Sequence, residues 1–281
     1  MGKAVLFDAE ACIGCRACEL ACKEKHGLPM FDLTKQLDAL PAETTSNDGT
    51  YTKPPELSAY TFLKVGFHEG RDAIGPLTVY SMRKCMHCEH PGCAAACPVG
   101  ALQKTSEGPV VYDDNKCIGC RFCMIGCPFG IPTYQWDKPV PYIRKCTFCS
   151  DWLSEGKEPA CVQACAKRTS SLTLGEREEQ LAKARKMIAD SPDKYVNHIY
   201  GEKEAGGTSW LFLSSFSLPF EKWGLPTFGS TDPVAANVDR AMIAVPPVLI
   251  GVATVMAGVY WVIQWRDKMR QENTAKKEVT K

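Results

Sequence analysis

The sequence reads as an α+β protein made of two related halves, with a single helix set apart near the C-terminus. Three observations carry that expectation. Sixteen cysteines fall into four quartets with none left over: Cys12, Cys15, Cys18 and Cys22; Cys85, Cys88, Cys93 and Cys97; Cys117, Cys120, Cys123 and Cys127; and Cys146, Cys149, Cys161 and Cys165. The stretch FDAEACIGCRACELAC at 7–22 returns as YDDNKCIGCRFCMIGC at 112–127, with eight of sixteen positions identical. From Ala241 to Trp265 the chain runs for 25 residues without a formal charge.

The first and third quartets have the spacing C-x2-C-x2-C-x3-C, which wraps three thiolates around one face of an iron–sulfur cubane and sends the fourth to another cluster. The second and fourth both open C-x2-C and close C-x3-C, around a short gap, Glu89 to Gly92, or a longer one, Ser150 to Ala160. Four [4Fe–4S] clusters are therefore expected, with all sixteen cysteines as iron ligands in two ferredoxin-like units. Zinc sites instead pair two C-x2-C knuckles. Units of this size bury little apolar surface, so metal–thiolate bonds formed on folding should supply much of their stability.

Each repeat opens on an apolar stretch, Val5–Phe7 or Val110–Tyr112, that predicts a short strand leading into a cluster loop. Gly14 and Gly119 allow a tight turn that points amides at sulfur. Pro98 and Pro128 follow the last cysteine of their quartets and are expected to open short helices; Lys23 and Ala166 stand in the corresponding places of the other two quartets. Ala101–Lys116 predicts a hairpin turning at Ser106, Glu107 and Gly108, which joins quartets two and three in one unit.

The expected layout is a first unit from 1–29 and 144–175, an insertion 30–84, a second unit 85–143, a docking segment 176–240, a transmembrane helix 241–265 and a basic tail 266–281. In this nested scheme Cys12, Cys15 and Cys18 share a cluster with Cys165, and Cys146, Cys149 and Cys161 share one with Cys22. Cys85, Cys88 and Cys93 join Cys127, and Cys117, Cys120 and Cys123 join Cys97. Loop lengths alone also allow quartet one to pair with two and three with four.

Lys84, Lys116 and Lys145 directly precede three quartets and are candidates for offsetting cluster charge, or for solvated loop edges. His87 and His90 are candidates for hydrogen bonds to a cluster or to backbone. Asp113 and Asp114 correspond to Asp8 and Ala9 and read as a turn, and Trp136 is a candidate cover or core residue. The formal charge of +1 counts every cysteine as neutral, so a cluster-bearing chain is more acidic. No nucleotide-binding fingerprint or nucleophile motif stands in the chain, so neither substrate nor nucleic acid is expected to bind it.

At about 1.5 Å per residue the apolar run spans about 37 Å, enough to cross a hydrocarbon core of about 30 Å. Tyr260, Trp261 and Trp265 cluster at its far end, as interfacial aromatics do. Pro246 and Pro247 near its start predict a helix beginning or a kink. The tail RDKMRQENTAKKEVTK has six Lys or Arg, which places the C-terminus in the cytoplasm and the cysteine-rich body outside. Residues 1–10 hold no apolar run of the length a signal peptide requires and no twin arginine, so export already folded with a signal-bearing partner is expected.

With CIGCRACELAC at 12–22, CPFGIPTY at 127–134, CTFC at 146–149 and CVQAC at 161–165, the chain resembles the four-cluster iron–sulfur subunit of the dimethyl-sulfoxide-reductase superfamily. Residues 198–226 and the single helix after them are similar to the beta subunit of membrane-bound formate dehydrogenases. That resemblance implies a catalytic alpha subunit with molybdenum or tungsten on molybdopterin, and a cytochrome b gamma subunit that reduces quinone. It implies a non-catalytic electron carrier on the outer face of the cell membrane, and the nested pairing of quartets. Nitrate reductase relatives replace one cysteine with tryptophan, whereas every quartet here is complete. Relatives that serve nickel–iron hydrogenases share the quartets and the helix and are the alternative.

Overall fold

The computed structural model describes residues 2–29, 57–71, 76–215, 218, 220–228 and 232–279. The chain divides into two units, Met1–Ala236 and Asn237–Lys281.

In the first unit β1 (Lys3–Asp8) is buried from Ala4 to Phe7, so both faces of this apolar strand are covered. A loop leads to α1 (Ala17–Lys25), entered through Arg16 in the left-handed conformation. The helix stops at Gly27, where the Leu28 amide donates to the Lys23 carbonyl and the Gly27 amide to that of Glu24. Those paired bonds close a helix through a left-handed residue, here glycine at φ +56°. Lys23, in the place where another quartet has proline, is buried and donates to Pro29 O (3.0 Å), Tyr60 O (2.9 Å) and Thr61 Oγ1 (3.3 Å).

The expected insertion 30–84 falls partly outside the described residues, at 30–56 and 72–75. Its later part forms a hairpin, β2 (Leu63–Arg71) and β3 (Pro76–Lys84), in antiparallel register from Leu63 opposite Lys84. β2 lies against α1, and the Val65 amide donates to the buried Glu19 carboxylate.

Next come α2 (Gly92–Ala95), β4 (Leu102–Lys104), β5 (Val110–Tyr112) and α3 (Phe122–Ile125). β4 and β5 form the expected hairpin, with Leu102 opposite Tyr112 and Gly108 in the turn at φ +113°. The two prolines depart from expectation. Pro98 and Pro128 open turns, while the short helices lie before them and carry Cys93 and Cys123. The chain reverses two residues after each proline through Gly100 and Gly130, both at φ +62°, which leaves no room for a helix.

A two-residue ladder, β6 (Thr133–Tyr134) with β7 (Ile143–Arg144), precedes α4 (Ser150–Ser154) and α5 (Ala160–Ala166). Helix α5 packs on α1 and α3 packs on α2. The remainder comprises β8 (Leu172–Glu176), α6 (Arg177–Asp190), β9 (Tyr195–Tyr200) and β10 (Trp210–Ser215).

These last strands close one sheet in the order β8-β1-β10-β9, with β10 parallel to β1 from Val5 opposite Trp210 to Asp8 opposite Leu213. Part of the segment 176–240, expected as a docking segment, is therefore built into the core through β9 and β10. Trp210, Leu211, Phe212 and Leu213 are fully buried, and each such side chain stabilises the fold by about 1.5–3 kcal/mol. One face of the sheet packs Phe7 edge-on to Phe212 and Trp223, each at 6.0 Å, within the cluster of side chains that includes most of the buried cysteines. The other face buries Ala4, Leu6, Leu211 and Leu213 beneath Leu181 and Ala184 of α6.

Beyond this body runs α7 (Val234–Val279), 46 residues and longer than the expected 241–265. Pro246 and Pro247 lie inside it and do not mark its beginning. Residues 266–279, expected within a separate tail, continue the helix because Arg, Lys, Gln, Glu and Ala are strong helix formers. Within α7, Ile243–Arg270 is long and apolar enough to cross a membrane, and Leu249, Ile263 and Trp265 are exposed.

Candidate cluster-binding sites

The internal repeat is visible in local geometry. Gly14 and Gly119 sit at φ +65° and +71°, and Arg16 and Arg121 at φ 56° and 64°. The Asp8 carboxylate accepts the Glu10 amide at 3.0 Å as Asp113 accepts that of Asn115 at 3.1 Å, so the aspartates shape turns as expected. These bends bring each C-x2-C-x2-C run around a common centre. The second and fourth quartets use a different bend, with His87 and Phe148 at φ 48° and 61°.

The folded chain gathers the cysteines into four groups. Cys12, Cys15, Cys18 and Cys165 line one cavity together with Phe7, Val65, Met82 and Leu172. Cys22 lies in the electrostatic reach of Cys146, Cys149 and Cys161. Cys88 has Cys85, Cys93 and Cys127 as charge neighbours, and Cys123 has Cys97, Cys117 and Cys120. Charge interactions also link the groups in order: Cys18 with Cys161, Cys85 with Cys146, and Cys93 with Cys123. They form a line, with exposed Cys15 in the first group and exposed Cys120 in the last.

The donor chemistry fits iron–sulfur clusters. Burial pushes the thiols of Cys12, Cys85, Cys123 and Cys149 up to about 11 and that of Cys93 to about 12, so a multivalent cation is needed to draw their protons out. Among the described residues no three metal-ligating side chains converge tightly enough for a single ion. Donors already face the sulfurs: Ala101 N to Cys97 Sγ (3.2 Å), Gly119 N to Cys117 Sγ (3.4 Å), Phe148 N to Cys146 Sγ (3.4 Å) and the Ser171 hydroxyl beside Cys165 Sγ (3.2 Å).

Of the lysines singled out in sequence, Lys84 and Lys145 are buried, while Lys116 is exposed and pairs with Asp113 at 3.2 Å. His87 is buried, and its Nδ1 accepts the Val110 amide at 2.9 Å, which leaves the ring proton on Nε2. Burial together with Lys145, Lys84 and Lys104 holds this imidazole neutral, well below its ordinary range. Its Nε2 and the Trp210 indole N–H are buried donors without a protein partner among the described residues, as befits an interior that receives sulfur acceptors. His90 takes no part in these contacts. Trp136 is exposed, so it is not core; the Arg121 guanidinium lies 4.5 Å from its ring, next to Cys120.

Sequence reading missed the latch that fixes the second quartet. Lys104 Nζ donates to His87 O (3.1 Å), Glu89 Oε1 (3.0 Å) and Ser209 Oγ (3.1 Å), and the Ser209 amide meets the Met86 carbonyl at 3.2 Å. These residues come from three distant segments, so no local pattern marks them.

Residues 11–101 and 77–177 each match a family model described as a 4Fe-4S dicluster domain. A protein of Nitratidesulfovibrio vulgaris strain Hildenborough is 35% identical over 276 residues, covering 96% of this chain and 69% of its own length. The nitrate-inducible formate dehydrogenase iron–sulfur subunit of Escherichia coli K12 is 35% identical over 215 residues, covering 75% of this chain and 67% of its own. The chain belongs to the iron–sulfur subunit family of the formate dehydrogenase type. The hydrogenase-2 operon protein HybA of Escherichia coli O157:H7 is also similar, 30% identical over 273 residues, 85% of this chain and 77% of that protein. Membership, with two dicluster domains, makes this an iron–sulfur electron-transfer subunit related to both kinds of complex.

Proposed function

We propose that the chain is the electron-transfer beta subunit of a membrane-bound respiratory oxidoreductase, carrying four [4Fe–4S] clusters. It would stand between a formate-oxidising molybdopterin subunit, with molybdenum or tungsten, and a cytochrome b subunit that reduces quinone. The observation that carries this reading is the line of four cysteine groups, buried in the middle and exposed at both ends. All sixteen cysteines are iron ligands in the nested groups described above. When bound, each cluster supplies a one-electron carrier.

The chain's own residues provide what surrounds the carriers. Backbone amides at Gly119, Phe148 and Ala101 aim at sulfur, the apolar faces of β1 and β10 exclude water, and buried lysines offset negative charge. Large apolar side chains stand exposed at both ends of the line, Ile13 near Cys15 and Ile118, Phe122 and Ile125 near Cys120, as surfaces for the two partners. α7 anchors the subunit in the bilayer, and Gly251, Ala253, Ala257 and Gly258 permit close approach of the cytochrome subunit. The basic tail orients the C-terminus to the cytoplasm and the body to the outer face.

A nickel–iron hydrogenase partner is the second reading, favoured by the longer share of this chain that HybA matches, 85% against 75%. Metal analysis of the complex captured through a C-terminal tag, with formate- and hydrogen-driven quinone reduction, tests both. Molybdenum or tungsten with formate oxidation supports the first; nickel with hydrogen uptake replaces it with the second. Cys117→Ala should lower iron by about a quarter and interrupt electron flow; unchanged quinone reduction would refute a serial path.

A further inference from the structure

The loops that open the second and fourth quartets are related by the internal symmetry of the chain. Lys84 precedes Cys85 as Lys145 precedes Cys146, and His87 and Phe148 hold equivalent places between their cysteines. The two rings touch edge-on at 5.0 Å, so the equivalent loops face each other at the middle of the cysteine line.

Two buried ammonium groups cross this middle in opposite directions. Lys84, 3% exposed, turns away from the loop it opens, placing Nζ 3.9 Å from Cys161 Sγ and 3.2 Å from the centroid of the Trp210 ring. Lys145, 5% exposed, reaches the Val110 carbonyl on β5 and also donates to Cys146 O at 3.1 Å. Val110 in turn donates to His87 between Cys85 and Cys88, so the Lys145 ammonium stands in the second unit. The charge neighbours follow the same crossing: Lys84 acts on Cys22, Cys146, Cys149 and Cys161, and Lys145 on Cys85, Cys93 and Cys127.

Among the described residues neither lysine forms a salt bridge with a carboxylate. A buried cation without a counter-charge is costly, and the negative charge that compensates each one is that of the cysteine group it faces.

We propose that Lys84 and Lys145 are crossed positioning charges, each preceding one central quartet in sequence and setting the reduction potential of the cluster held by the other. The inference rests on the four-cluster reading given above. Reduction adds a negative charge to a cluster, and a fixed ammonium beside it favours that state. The symmetry places one such charge at each of the two central sites.

The test is a reductive titration of the full-length protein in its detergent-solubilised complex, followed by electron paramagnetic resonance. Cys22→Ser and Cys127→Ser identify the two central signals. Lys84→Met should move the midpoint of the Cys22-linked signal to more negative potential and leave the Cys127-linked one in place; Lys145→Met should do the reverse. Lys84→Arg should restore the midpoint, and Lys84→Gln, which keeps a donor but no charge, should shift it as methionine does and serves where Lys84→Met fails to fold. Midpoints that do not move, or that move in the cluster whose first cysteine directly follows the lysine, overturn the crossing. Wild-type protein without iron or brown absorption would instead refute the cluster reading beneath it.

Discussion

The tight bend at Gly14 makes a quantitative forecast. A methyl group added there would lie 2.2 Å from a ring carbon of Tyr80, where ordinary carbon contacts need about 3.5–4.0 Å. Tyr80 has little freedom to yield, because it packs edge-on to Phe67 at 5.1 Å. The backbone is at φ +65°, where a β-carbon costs about 1–2 kcal/mol. Forcing the ring aside adds about 1–3 kcal/mol, so Gly14→Ala should cost about 3 kcal/mol. Gly27 is the control: its φ is +56° but a methyl there meets nothing within 4 Å, so Gly27→Ala should cost only about 1 kcal/mol. Gly119, where the Tyr134 hydroxyl lies 3.2 Å from the added carbon, should fall between.

The assay is loss of visible iron–sulfur absorption in the presence of a chelator, under conditions where opening is fast and its population sets the rate. With each 1.4 kcal/mol worth about tenfold, Gly14→Ala should bleach roughly a hundredfold faster than wild type and Gly27→Ala roughly fivefold faster. Equal rates for the two variants would refute the steric part of the reasoning and show that the Tyr80 side moves freely.

His198 and Glu204, 2.7 Å apart, predict a pH window. The bond to Glu204 raises His198 above 6.5 against the opposing effect of burial, and although burial opposes it, the bond from His198 lowers Glu204 below 4.5. The histidine contribution is complete below its unfolded value and fades as pH rises through its raised one. The glutamate contribution is present above its unfolded value and fades as pH falls through its lowered one. His198→Gln should therefore lower the melting temperature more at about pH 5.5 than at about pH 8.5; an equal loss at both would assign the effect to packing on Phe220. Removing residues 237–281, a separate unit, should leave a body that keeps its iron and is released by carbonate extraction; a truncated chain that stayed with the membrane would show that partners anchor it instead. Lys104→Met removes three bonds around the second quartet and leaves half-buried Glu89 with the Ser209 hydroxyl but without its cation, at a cost of about 1–3 kcal/mol read as a lower urea midpoint; an unchanged midpoint would show that the latch is dispensable.

Much of the site was legible because cluster ligation is a local pattern. Cysteine spacing needs only neighbouring residues to place three sulfurs on one face, and the repeat of 7–22 at 112–127 announced that Gly14 and Gly119, Arg16 and Arg121 would share conformations. The hairpin at Ala101–Lys116 was legible for the same reason: its turn and its pairing lie within one short stretch. The prolines after Cys97 and Cys127 misled because a proline is equally at home opening a turn or a helix, and the glycine two residues on decides between them.

By itself the sequence determined the four cysteine quartets, the twofold repeat and the long apolar helix, since each is written in spacing or composition along the chain. Only the tertiary structure decided that β10 lies parallel to β1, which makes β10 part of the core, because a pairing between strands roughly two hundred residues apart depends on which apolar faces meet. It alone decided the line of cysteine groups and the direction of each lysine. Lys84 and Lys145 stand before equivalent cysteines, but where a flexible side chain carries its charge is set by the negative groups that surround it after folding.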